Sequence, residues 1–312
     1  MRFNPEVETF RLEDVNRRIS QDAPAFIDEA ERGYAAQIDG AIREILARGA
    51  HLIFLSGPSA SGKTTTARLL RRKLGALGNN AIYVSLDNFY KNRDDSPLWE
   101  DGQKNFESVE SLDLEHFQRS IHTLLSSGAA QFPLYDFHSG NRSDKSMPLS
   151  WDEHTYIIFE GIQALHPDLA AQAPKGEGLR IYISVHSSLI GDDDQVLLSP
   201  RDIRLMRRLL RDRVTRNSPP GFTLKLWDKV LLGEERYMWP YRQQADIHMN
   251  TIHEYEVALY GEKMLPIIYG GEFTGESEPL GRHLAASLRQ IEPLGWDAVP
   301  GGSLLEEFII RG

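Results

Sequence analysis

Two periodicities divide this chain. Between Asp22 and Gly49 apolar side chains at Ile27, Ala30, Tyr34, Ile38, Ala41, Ile42 and Ile45 recur at helical steps, which predicts one long amphipathic helix with Asp22 as its N-cap. From His51 the pattern changes to short, continuously apolar runs: Leu52-Ile53-Phe54-Leu55, Ala81-Ile82-Tyr83-Val84-Ser85-Leu86, Tyr156-Ile157-Ile158-Phe159 and Leu179 to Val185, with a weaker run at 246–250. Continuous rather than alternating runs are the mark of strands buried on both faces. Helical patterns over 64–77, 114–125 and 201–213 lie between them. Strand and helix in alternation predict an α/β fold, a doubly wound parallel sheet, with 1–49 as a helical extension packed on a core of 50–312. Loop-rich stretches fall at 91–105, 135–149 and 217–223, and the last two are expected to move. The same N-terminal stripe could alternatively join two copies, which leaves a homo-oligomer open.

Composition narrows the partners. With 35 basic against 45 acidic residues the formal charge is −10, which opposes extended contact with nucleic acid or an anionic membrane. The N-terminus has neither a basic nor an apolar signal region, and no apolar run approaches the roughly 20 residues that span a bilayer, so a cytoplasmic protein is expected. Absence of cysteine removes disulfides, thiol nucleophiles and thiolate metal sites.

The chemistry is concentrated after the first apolar run. Gly57-Pro58-Ser59-Ala60-Ser61-Gly62-Lys63-Thr64, followed by Thr65, fits G-x-x-x-x-G-K-[ST] between a strand and a helix. The glycines let backbone N–H groups wrap a phosphate, and the helix start aims its positive end at the same anion. Lys63 can reach the β- and γ-phosphates of ATP or another nucleoside triphosphate, and Thr64 is placed to ligate Mg²⁺.

A phosphate cradle alone does not separate a kinase from a GTPase or a motor. The second run ends in Ser85-Leu86-Asp87, a carboxylate at the carboxyl end of a strand, where doubly wound sheets bind ligands. Asp87 could accept the proton of an attacking hydroxyl or help to hold Mg²⁺. Glu160, after Ile157-Ile158-Phe159, would supply the second metal-associated carboxylate. On the helix over 201–213, Arg204, Arg208 and Arg211 share a face, and arginines closing over the phosphates would stabilise transferred charge. Without an NKxD-type signature the GTPase reading weakens.

In order along 52–251, the motifs GPSASGKTT, SLDNFYK, NFESVESLD, PLYDFHSGNR, IIFEGIQAL, RLMRRLLRDRVTRN and GEERYMWPYRQQADIHMNT resemble the uridine kinase and phosphoribulokinase family, above all its uridine kinase-like nucleoside kinases. The resemblance implies a P-loop fold of the nucleoside-monophosphate-kinase type with an arginine-bearing lid at about 201–223. It makes Asp87 the general base and places Thr64 and Glu160 around Mg²⁺. Tyr90, Glu107, Tyr135, Arg142 and Arg208 would shape the acceptor pocket, and Arg211 and Arg216 would clamp the triphosphate. Three positions differ: Glu107 stands where pyrimidine-specific members carry aspartate, their base-reading histidine aligns with Gly140, His138 lying two residues away, and Asn217-Ser218 follow Arg216 where the family's lid tip carries a second arginine. The expected activity is transfer of phosphate from ATP with Mg²⁺ to the 5′-hydroxyl of a ribonucleoside such as uridine or cytidine. Alternatives are a kinase of another polyol or sugar and a non-catalytic ATP-binding regulator.

Overall fold

The continuous apolar runs pair side by side. In the computed structural model, which describes residues 7–171, 173 and 178–308, β1 (Glu8–Arg11) leads into α1 (Leu12–Arg48), β2 (Leu52–Ser56), α2 (Lys63–Ala76) and β3 (Asn80–Ser85). Next come α3 (Leu114–Ser127), β4 (Ala129–Asp136), β5 (Asn141–Ser150), β6 (Thr155–Glu160), α4 (Pro167–Ala170) and β7 (Gly178–Ser184). β8 (Ser187–Ile190), β9 (Val196–Leu198), α5 (Pro200–Thr215), α6 (Pro220–Gly233), α7 (Trp239–Arg242), β10 (Ile247–Asn250), α8 (Glu256–Ile267) and α9 (Glu278–Leu288) follow. A five-stranded parallel sheet runs in the order β10-β7-β2-β6-β3. Its central strands alternate between two cores: Ile53, Leu55 and Ile158 pack into one, Leu52, Phe54, Ile157 and Phe159 into the other. That two-sided burial is why these strands read as unbroken apolar runs.

The N-terminal helix starts earlier than its periodicity predicts. It begins at Leu12, and Asp22 marks a kink instead, with φ −159° and ψ 77° just before Pro24. Asp22 Oδ1 accepts the Ala25 N–H at 3.1 Å, so the expected capping chemistry is present inside a longer helix. The stripe packs on α2: Ile38, Ile42 and Ile45 share a core with Leu70 and Leu74. Tyr34 Oη meets Thr66 Oγ1 at 2.7 Å, and Gln37 exchanges two hydrogen bonds with the Asn250 backbone at 2.9 Å each. This face is therefore buried within one chain and is not offered to a second copy.

Three further departures have local causes. The segment 135–149, expected as a loop, is mostly the antiparallel hairpin β4/β5, whose alternation is masked because much of its surface faces water. β1, β8 and β9 form a small second sheet that the sequence did not announce, being only three or four residues long each. The arginine-bearing segment is not a detached arm: along α5, Ile203, Leu205, Met206 and Leu209 are buried together with Arg204, Arg207 and Arg208. Arg207 makes a bidentate pair with Glu256 at 2.8 and 2.7 Å, both side chains fully buried. Only the connection between α5 and α6 retains the character of a tip. Among the described residues no helix is long and apolar enough to cross a membrane.

Candidate active site

β2 delivers the chain into a turn that tolerates no side chain at two places. A Cβ on Gly57 would lie 2.3 Å from the Ile183 carbonyl oxygen, and one on Gly62, at φ +89°, would lie 2.6 Å from Leu304 Cδ1. Ala60 also sits at positive φ. The turn ends at Lys63, the first residue of α2, so the helix's positive end faces the loop. Lys63 Nζ donates to the Pro58 carbonyl at 3.2 Å. Arginines of α5 brace the turn from outside: Arg204 Nη1 donates to Ser59 O at 3.1 Å, Arg208 Nη1 to Ser59 Oγ at 2.9 Å, and Arg207 Nη1 to Ala60 O at 3.4 Å. Arg204 is itself held by Glu234 in a buried bidentate pair at 2.6 and 2.8 Å, and Glu234 Oε1 accepts the Ser59 N–H at 3.2 Å.

The turn opens on a cleft of about 770 Å³. Register brings the carboxylates to its floor: β6 lies between β2 and β3, with Glu160 beside both Leu55 and Ser85. Asp87 follows in the turn after β3, where Ser85 Oγ accepts its N–H at 3.3 Å. Burial pushes the Asp87 carboxyl above the usual range, against the pull of Lys63, Tyr90 and Arg216. Glu160, which accepts from Tyr83 Oη at 2.9 Å, is raised to about 7 by burial and by Asp87, with Lys63 opposing. Glu107 is likewise raised to about 7 by burial, with Glu234 adding to the rise and Arg208 opposing it. Acidic groups held this high are poised for a cation. Among the described residues no three His, Cys, Asp or Glu side chains group to hold a metal by themselves. A cation here would rest on Thr64, Glu160, Asp87 and a ligand's own phosphates, which is how Mg²⁺ is usually held at nucleotides. The residues present therefore fit ATP with Mg²⁺, as the resemblance implies.

The cleft collects Ser59 to Thr64, Asp87, Tyr90, Glu107, Tyr135, Glu160, Arg208, Arg211 and Arg216. Gly57 lies behind it, acting through backbone spacing alone. Three expected side chains, those of His138, Arg142 and Thr65, are elsewhere. His138 is exposed at the β4/β5 turn, where its N–H caps onto Asp136, and Arg142 is committed to Asp113 at 2.9 Å. Thr65 does not face open space: its N–H and Oγ1 donate to Glu307 Oε2 at 3.2 and 3.0 Å. Glu307 sits in the last described turn, Leu304–Glu307, and lines the cleft with Arg211 4.0 Å away. No role at the site was expected of Glu307, Arg93 or Glu234, although Glu234 stands in the motif GEERYMWPYRQQADIHMNT, since their parts arise from contacts with residues far away in sequence. Glu307 places a carboxylate on N–H and hydroxyl donors that a phosphate would also use. Glu307→Ala is accordingly expected to tighten ATP binding by about 2- to 5-fold, the worth of one charge at a helix start. Titration calorimetry reads this, and an unchanged Kd would mean that the phosphates never meet Thr65.

A profile of the Phosphoribulokinase / Uridine kinase family matches residues 52–258. The uridine kinase of Lactobacillus johnsonii is 28% identical over 209 residues, 67% of this chain and 90% of that protein. The uridine kinase of Leuconostoc citreum is 29% identical over 161 residues, 52% of this chain and 68% of that one. A solved structure of a possible uridine kinase from Bacillus stearothermophilus aligns with a TM-score of 0.43 at 20% identity, covering 69% of this chain and 98% of its own.

Proposed function

The chain belongs to the phosphoribulokinase and uridine kinase family, and from that premise we propose that it transfers the terminal phosphate of ATP to the 5′-hydroxyl of a ribonucleoside such as uridine or cytidine. Phosphorylation of a small-molecule hydroxyl is the family's chemistry; the nucleoside is the finer step. The observation that carries it is the meeting of Lys63 and Asp87 in one cleft, where the Lys63 charge acts on the Asp87 carboxyl. Relatives named uridine kinase support the acceptor, as do the aromatic rings of Tyr90, Phe106 and Tyr135 beside Asp87 in that cleft.

In this reading the 5′-oxygen attacks the γ-phosphorus and gives its proton to Asp87, while the bond to the bridging oxygen breaks and ADP leaves. A carboxyl held above its usual range is a better match to a hydroxyl proton near neutral pH than an ordinary aspartate. Lys63 and Arg211, which line the cleft, would stabilise the charge that gathers on the transferred group, with Arg216 closing from the α5–α6 connection. Thr64 and Glu160 would hold Mg²⁺, which neutralises phosphate charge when bound. Arg208 and Glu107 line the acceptor side.

ADP release measured with a panel of nucleosides, sugars and sugar phosphates tests the reading. Stimulation by ribonucleosides is the expected result. Stimulation only by a non-nucleoside would replace the acceptor, and tight ATP binding without turnover on any of them would make the protein a regulator instead.

A further inference from the structure

Gly140 has a consequence for what the cleft reads. It sits at φ +73°, and a Cβ there would lie 2.6 Å from Arg93 Nε and 2.7 Å from Arg93 Cζ. The space a side chain at 140 would take is thus filled by the Arg93 guanidinium. Backbone fixes the pairing, since the Arg93 N–H donates to Gly140 O at 2.8 Å. Arg93 lines the same cleft as Asp87, and among the described residues no carboxylate forms an ion pair with it. Its fork is therefore available to a ligand. Beside it stand Tyr135, which feels the Arg93 charge, and Phe137, stacked edge-on to Tyr135 at 5.2 Å and 62% exposed. Tyr135 Oη is buried with no hydrogen-bond partner. Exposed aromatic surface, a free guanidinium and an unsatisfied hydroxyl at one end of a cleft together suit a flat heteroaromatic ring.

We propose that Arg93 is the specificity-determining residue for the far end of the acceptor, and that it selects a base presenting two adjacent hydrogen-bond acceptors, as O2 and N3 of cytidine do. The inference rests on the nucleoside reading above. Guanidinium donates and never accepts, and its parallel N–H groups match paired acceptors in one plane. Uridine places an N–H between its two carbonyls, so the same fork would face a donor and lose one bond.

The test is steady-state kinetics of the full chain with cytidine and uridine, in the wild type and in Arg93→Met, Arg93→Lys and Gly140→Ala. Arg93 is exposed, so its replacements leave the fold in place. Expected is a wild-type kcat/KM for cytidine exceeding that for uridine by about 10-fold, the usual discrimination of a bidentate contact. In Arg93→Met this ratio falls toward one through KM, with kcat kept, and Arg93→Lys, which keeps charge without the fork, behaves like Met. Gly140→Ala shifts the ratio the same way by displacing the guanidinium. A wild type preferring uridine, or a ratio unmoved in Arg93→Met, overturns the proposal while leaving nucleoside phosphorylation intact. If the wild type turns over neither nucleoside, the nucleoside reading fails and this inference falls with it.

Discussion

Asp87→Asn is expected to lower kcat by about 10²-fold or more while ATP still binds, because an amide of the same shape keeps the packing but cannot take up a proton. The Kd for ATP measured without Mg²⁺ should change little, since the groups expected to wrap the phosphates are the backbone N–H groups of the turn from Ser59 to Thr64, which lines the cleft. The pH profile adds a second signature. Protonation of Asp87 removes the base, so wild-type kcat falls as pH drops, and burial places that acid limb above the range of an ordinary aspartate. In the variant the limb disappears along with most of the rate. ADP release across pH, paired with calorimetry for ATP, reads both; unchanged turnover would remove Asp87 from the reaction.

Glu160→Gln should separate function from stability. Loss of the carboxylate is expected to raise the Mg²⁺ needed for half-maximal rate by about 10- to 100-fold, the usual penalty for disturbing a metal's surroundings. The metal-free protein should meanwhile gain stability. Glu160 is only 7% exposed and its carboxyl is raised to about 7 from an ordinary value of 4.5. Because the folded value lies above the unfolded one, its favourable contribution is complete below about 4.5 and is lost as pH rises through about 7. At pH 8 the ionised, buried group therefore opposes folding by on the order of 3 kcal/mol. Thermal melts in a chelator should show the variant above the wild type at pH 8 and level with it at pH 4.5. A variant no more stable at pH 8 would mean that the negative charge is already compensated by Lys63.

Much of this was legible along the chain, and the remainder was hidden for identifiable reasons. Runs such as Leu52 to Leu55 could be read because burial on both faces leaves no polar alternation to misinterpret. The phosphate cradle was legible because its backbone geometry admits few residue types. Asp87 and Glu160 were singled out from their places after strands, and the register that sets Glu160 between Leu55 and Ser85 brings both carboxylates to the floor of one cleft. His138 was a lure: it lies only two residues from the place of the family's base-reading histidine, but in the hairpin turn it is exposed to water. Arg142 was another, since Asp113 holds it. The basic face of α5 looked like a phosphate clamp throughout, yet Arg204 spends its charge on Glu234 and the Ser59 backbone. Arg93 could not have been found at all from local pattern, because its position depends on the missing side chain of Gly140.

Glu307 and Thr65 touch across 242 positions of sequence. Contacts so remote form late, since the entropy of closing a long loop must be met before they return anything. During synthesis the strand and turn from 52 to 64 are complete long before Leu304 and Glu307 have left the ribosome. The nucleotide cradle is thus begun early and roofed last, and a nascent chain would acquire its finished ATP affinity only when that final turn docks.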